Sequence, residues 1–205
     1  MSIEKLDNLV KETIGAGKPW EGSADSAELE YLANLAKLPQ IHNIGEIGFN
    51  AGLSSYTFLE ANMNTRVYSF DLGEYDYIKP AKEYIDHQFP KRHTLVIGDS
   101  LATVPQFYAS HPTLKFDLIF IDGGHDYNIA KADLTNMKNF ATKDTILVTD
   151  DLVPWKPWGA GPTQAWQEVI AEGLVIQEEL SRDGKIVNDI KPPGERSWAK
   201  GKYLL

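Results

Sequence analysis

Glu46-Ile47-Gly48-Phe49-Asn50-Ala51-Gly52-Leu53-Ser54-Ser55 follows a short apolar run and leads directly into a helical pattern. A strand that turns into a helix through glycines brings its backbone close to whatever lies above the turn. The glycines tolerate positive φ, and the first helical turn presents unpaired N–H groups to a polar or anionic ligand. Read alone, the turn is equally a tight strand-to-helix connection with no ligand. Its surroundings decide between the two.

Downstream, short apolar runs alternate with longer stretches of helical period, which is the pattern of repeated strand–helix–strand units and a parallel sheet. Strands are predicted at about 41–47, 66–70, 94–97, 118–121 and 145–148. The fourth and fifth are almost wholly apolar, as parallel strands covered on both faces should be. Upstream, Ile3, Leu6, Leu9, Val10 and Ile14 mark an amphipathic helix. A loop is expected at 15–22, then a helix from Ser26 with Leu29, Leu32, Leu35 and Leu38 at every third position, stopped by Pro39. After Pro162 the stretch 163–171 reads as helix, and 174–180 and 197–204 as closing strands. One domain is the expectation for 205 residues. Within it, 1–40 would cover the site, 41–151 form the ligand-binding core, and 152–205 supply an acceptor loop and a closing hairpin.

Two further acids arrive at the same edge of this sheet. Asp71 ends the second strand 19 residues after Gly52, close to the ~20 expected of an acid that grips a ribose. Gly98-Asp99-Ser100 ends the third. Open α/β sheets bind ligands at this carboxyl edge. A nicotinamide dinucleotide and a sulfonium nucleoside both fit so far, but the turn has Glu46-x-Gly48 followed by Gly52 instead of Gly-x-Gly-x-x-Gly, so it offers no tight diphosphate cradle. Glu46 would repel a diphosphate, whereas it can accept a hydrogen bond from the α-ammonium of a methionine moiety.

With these residues in place, the chain resembles the class I S-adenosylmethionine-dependent methyltransferases. The resemblance implies a Rossmann-like α/β fold: a seven-stranded, mostly parallel sheet with helices on both faces and an antiparallel C-terminal hairpin. It implies that Glu46, Gly48 and Ser54 line the methionine end, that Asp71 holds the ribose hydroxyls, and that Asp99 and Ser100 border the adenine. Asn50, Gly52 and Asp122 complete the implied cofactor set.

A second acidic group follows the later strands, in Asp122-Gly123-Gly124-His125-Asp126-Tyr127 and in Asp150-Asp151. If the sheet is wound as expected, Asp122, Asp150 and Asp151 crowd together and need a counter-charge, because repulsion and desolvation otherwise raise their pKa values. Hard oxygen ligands favour Mg²⁺, with Mn²⁺ or Ca²⁺ open. The alternative is that Asp150 caps a turn and Asp151 is solvated. This half of the chain resembles the metal-dependent O-methyltransferases of the catechol and caffeoyl-coenzyme A kind and their macrolide-sugar relatives. There an Asp and an Asp-Asn pair bind the metal; here the pair is Asp150-Asp151, and His125 stands where those enzymes carry a catalytic lysine. With an ordinary pKa of ~6.5, His125 suits a base that takes the acceptor's hydroxyl proton. His42, His87, His93 and His111 are expected to be structural. Trp155, Lys156, Pro157 and Trp158 can wall an acceptor or pack against the closing helix.

The bulk composition excludes several classes. There is no cysteine, hence no disulfide, thiol nucleophile or cysteine-ligated metal. A net charge of −9 without a basic stripe argues against nucleic acid. Residues 1–7 carry charges where a signal peptide needs an apolar core, and no run spans a bilayer, so a cytoplasmic protein is expected. The partner is then a small-molecule hydroxyl acceptor, with a homo-oligomer left open. A nicotinamide-dependent oxidoreductase and a non-catalytic nucleoside-binding domain are the rival readings.

Overall fold

In chain order the computed structural model contains α1 (Ile3–Ile14), α2 (Ser26–Ala36), β1 (Asn43–Ile47), α3 (Leu53–Ala61), β2 (Arg66–Asp71), α4 (Ile78–Gln88), β3 (His93–Ile97) and α5 (Ser100–Ser110). Then follow β4 (Leu118–Ile121), α6 (Tyr127–Met137), β5 (Ile146–Thr149), α7 (Ala160–Ala171), β6 (Val175–Arg182), β7 (Lys185–Ile186) and β8 (Ser197–Tyr203). The structure describes residues 3–14 and 24–205; the loop expected at 15–22 lies outside the described residues.

The four residues of β4 show why the layers form. All are buried, and they alternate: Leu118 and Phe120 join one hydrophobic cluster with Leu6, Leu32 and Phe58, whereas Ile119 and Ile121 join another with Leu134, Trp166 and Val169. Side chains along a strand point to opposite faces, so a continuous apolar run requires cover on both. Helices α1 to α4 contribute to the first cluster and α5 to α7 to the second.

The sheet order is β3-β2-β1-β4-β5-β8-β6-β7, parallel through β5 and antiparallel beyond. The winding reverses between β1 and β4, the place where such sheets open a ligand crevice at their carboxyl ends. Register fixes which residues meet there. Ile47 pairs with Phe70 and with Ile121, and Ile121 pairs with Thr149. Gly48, Asp71, Asp122 and Asp150, one step further on, therefore stand in a row along one edge.

The expected count of seven strands is corrected to eight. The extra element, β7, pairs with the end of β6 across Asp183-Gly184, both at positive φ. Two left-handed residues of this type close a two-residue hairpin. Among the described residues, no helix is long and apolar enough to cross a membrane.

Candidate active site

The turn after β1 is shaped by close backbone approach. Gly48 has φ +92, and a Cβ there would lie 1.8 Å from the carbonyl oxygen of Asp122. The first loop of the row thus rests directly on the fourth strand's end. Gly52, at φ 75, is the residue that opens α3 with no side-chain cap, leaving the helix N-terminus facing the crevice. Asp71 fastens this turn to β2: its Oδ2 accepts from Phe49 N at 2.9 Å and Asn50 N at 2.8 Å, and its Oδ1 accepts from Gly73 N. The hydroxyl of Tyr77 donates to Asn50 Oδ1 at 2.6 Å. Asp99 caps α5 through Leu101 N, and Ser100 begins that helix.

Glu46 sits beneath the turn and is fully buried. Ser54 donates to its Oε1, and Ser55 and Ser69 to its Oε2. Burial pushes its carboxyl up to about 7, against the three hydroxyls, which pull it down. His93 completes this group, 2.9 Å from Ser69 Oγ and stacked on Phe49. Desolvation lowers its pKa to about 3. Glu46 therefore holds Ser54 and Ser55, at the start of α3, from within the core.

The acidic residues meet at the ends of β4 and β5. Asp150 is 2% exposed and both its oxygens lack a hydrogen-bond partner. One oxygen each from Glu28, Asp122 and Asp150 lie within 4.8 Å of one another. Asp151, held at φ 61, turns aside, placing its Oδ2 2.9 Å from His125 Nε2. Among the described residues, the cations in reach are His125, when protonated, and Arg196, which stands 4.0 Å from Asp150 and 3.9 Å from Asp151. Burial first, then the carboxylates of Asp150 and Asp151, push Asp122 well above the usual range; burial and then Glu28 do the same to Asp150. Three carboxylates with unpaired buried oxygens, Glu28, Asp150 and Asp151, with Asp122 beside them and few cations, make a donor set suited to a hard divalent ion. Of the three acids expected together, Asp122 and Asp150 lie within reach of one point with Glu28, and Asp151 lies against the histidine.

A family model described as a methyltransferase domain matches residues 46–152, more than half of the chain. The chain belongs to this methyltransferase family. No curated protein matches it. Its fold is shared with an O-methyltransferase from Bacillus cereus solved with S-adenosylhomocysteine, at 18% identity and TM-score 0.76 over 98% of this chain and 91% of that one. TomG of Streptomyces achromogenes, an O-methyltransferase of tomaymycin synthesis solved with S-adenosylmethionine, gives 17%, 0.74, and 98% and 88%. CalS11, a TDP-rhamnose 3'-O-methyltransferase, gives 21%, 0.65, and 96% and 93%.

Sequence reasoning about this methyltransferase missed Glu28, Arg196 and Asp133. The buried line of α2 is Glu28, Leu32 and Ala36, so an acid in register with inward residues was the signal for the first. Arg196 precedes β8 and reaches the site only through the fold. Asp133, on α6, is fully buried with neither oxygen in a hydrogen bond, and burial pushes it up to about 7. The aromatic loop is tied to the loop before β8, since Trp155 Nε1 donates to Gly194 O and Lys156 pairs with Glu195. Trp158 remains exposed.

Proposed function

We propose that the protein is an S-adenosylmethionine-dependent O-methyltransferase, acting in the cytoplasm on a hydroxyl of a small molecule with a divalent cation, Mg²⁺ in the simplest case. The observation that carries this reading is the contact of Gly48 with Asp122. It sets the glycine turn and helix N-terminus of a nucleoside site against the acidic group of an acceptor site. The N-terminus of α3 and Ser54 take the methionine end, and Asn50 and Gly52 shape the turn. Asp71 takes the ribose hydroxyls, and Asp99 and Ser100 border the adenine. The 1–40 segment, with α1 and α2, and the 152–205 segment shape the acceptor side.

A sulfonium methyl is already electrophilic, so the protein's work is to align the acceptor oxygen behind it, exclude water and remove a proton. His125 Nδ1, the ring nitrogen not engaged by Asp151, takes the hydroxyl proton as the oxygen forms its bond to the methyl carbon and the carbon–sulfur bond breaks, its electrons returning to sulfur. Asp151 orients the ring and stabilises the imidazolium. Glu28, Asp122 and Asp150 are the residues that would hold the cation, whose positive charge would acidify the hydroxyl.

The test is calorimetric titration of S-adenosylhomocysteine, followed by methyl transfer to a panel of catechols, simple phenols and sugar hydroxyls. Binding that survives a chelator, with turnover that does not, is the expected result. Failure to bind the product nucleoside overturns the reading, and chelator-insensitive turnover removes its metal half.

A further inference from the structure

An acid lies where a helix should be apolar. The inward line of α2 runs Glu28, Leu32, Ala36, all buried, and such a line ordinarily carries hydrophobic side chains. Glu28 is 2% exposed, and neither carboxylate oxygen has a hydrogen-bond partner. A desolvated carboxyl in that state must either keep its proton or be met by a positive charge. Arg196 stands 3.9 to 4.0 Å from the neighbouring aspartates, and its charge also acts on Glu28.

The dimensions identify what fits. Oxygens bound to one hard cation at ~2.1–2.5 Å are separated by at most twice that distance, roughly 4–5 Å. The oxygens of Glu28, Asp122 and Asp150 already lie within 4.8 Å of one another. Asp151 is engaged elsewhere, by His125 Nε2 at 2.9 Å. Asp25 caps α2, its Oδ1 accepting from Ala27 N and from Glu28 N, so the backbone that carries Glu28 is fixed at the mouth of the cluster.

We infer that Glu28 is a metal ligand: a divalent cation is held by Glu28, Asp122 and Asp150, while Asp151 serves His125. This rests on the proposed function insofar as it takes the acidic group to hold a cation. It adds that α2, which lies outside the residues matched by the family model, is part of the metal site. Cation binding then pins α2 to the sheet edge.

Manganese(II) is the probe, titrated calorimetrically into the full chain after chelator treatment, with hydrogen exchange measured over residues 26–36. The native chain should bind one ion. Glu28→Gln and Asp150→Asn should each weaken binding at least roughly tenfold, and Asp151→Asn by no more than about threefold. Saturating manganese should slow exchange in α2 of the native chain and leave Glu28→Gln unchanged. Glu28→Gln keeps the size and shape of the side chain, so without metal it should melt no lower than native and bind S-adenosylhomocysteine as native does. If it melts lower, Glu28→Asp replaces it, keeping the charge and withdrawing the oxygens by one methylene, with the same loss expected. Native affinity in the Glu28 variant overturns the inference and leaves the proposed function standing. No manganese binding by the native chain removes the metal half of that function together with the inference.

Discussion

Glu46 is fully buried yet touches only hydroxyls, and that combination sets a measurable pH response. Its carboxyl is pushed from 4.5 to about 7 by burial. A folded pKa above the unfolded one means the folded state keeps the proton longer. The associated stability is complete below the unfolded pKa and is lost as pH rises through the folded one. A shift of this size corresponds to about 3 kcal/mol over the whole window. Glu46→Gln should therefore flatten the fall in urea-unfolding stability between roughly pH 4.5 and 7. His93, lowered to about 3 in the folded state, titrates in the unfolded state near its ordinary 6.5, and the rise in stability this gives is common to native and variant and cancels in their difference. An equal fall in the variant would show that the carboxyl is ionised in place. His125 is the opposite case, a half-exposed side chain whose partner is a buried acid. His125→Ala should lower the methyl-transfer rate by roughly 10²–10⁴ while S-adenosylhomocysteine affinity holds within about twofold. Single-turnover rates and calorimetry check the two halves. Loss of nucleoside affinity would reassign the residue to binding. Both residues were legible in the sequence because each stands one or a few positions from the end of an apolar run. Glu28 was not, because the period of three through Leu29, Leu32 and Leu35, which do pack against the core, carries no mark of an acid buried beside them.

At the scale of elements, the β1–α3 turn and the end of β4 form one unit, and glycine makes it so. Gly48→Ala would drive a methyl into the carbonyl oxygen of Asp122 at 1.8 Å, a backbone atom that moves only if β1 and β4 part. Gly52→Ala meets side chains instead, those of Ile85 and Phe49 at 2.7–2.9 Å, which can give. Gly48→Ala should accordingly cost about 3 kcal/mol or more and abolish nucleoside binding, and Gly52→Ala about 1–2 kcal/mol. At ~2–4 °C per kcal/mol for a chain of this size, melting temperatures separate the two. Equal effects would mean that the backbone contact is not the constraint. The parallel strands could be read from sequence because burial on two faces makes their runs continuous, and 118–121 coincides with β4. Helix α7 begins at Ala160, three residues before the reading, because Gly159-Ala160-Gly161-Pro162 looks like a loop. Proline in a first turn lacks only an N–H that has no helical partner there. The strand β7 escaped notice because two residues carry no period.

For the molecule as a whole, the acidic cluster is where stability and function conflict. Glu28, pushed to about 8 mainly by burial, faces Asp122 and Asp150, themselves raised, and the chain carries a net charge of −9. Without a cation, the folded state answers this repulsion by keeping protons, and a bound ion must displace them. Metal binding that releases protons strengthens as pH rises. Saturating Mg²⁺ should therefore raise the melting temperature of the chelator-treated protein, and more at pH ~8 than at pH ~6. An ion at ~100 times its dissociation constant adds about 2.7 kcal/mol, or several degrees here. The same salt should do much less for Asp150→Asn, which lacks one charge of the cluster. Calorimetric scans with Mg²⁺ and with matched ionic strength of NaCl separate specific binding from screening of the overall charge. Equal shifts by both salts, independent of pH, would mean that Arg196 already balances the cluster and that the acids hold the fold together without an ion.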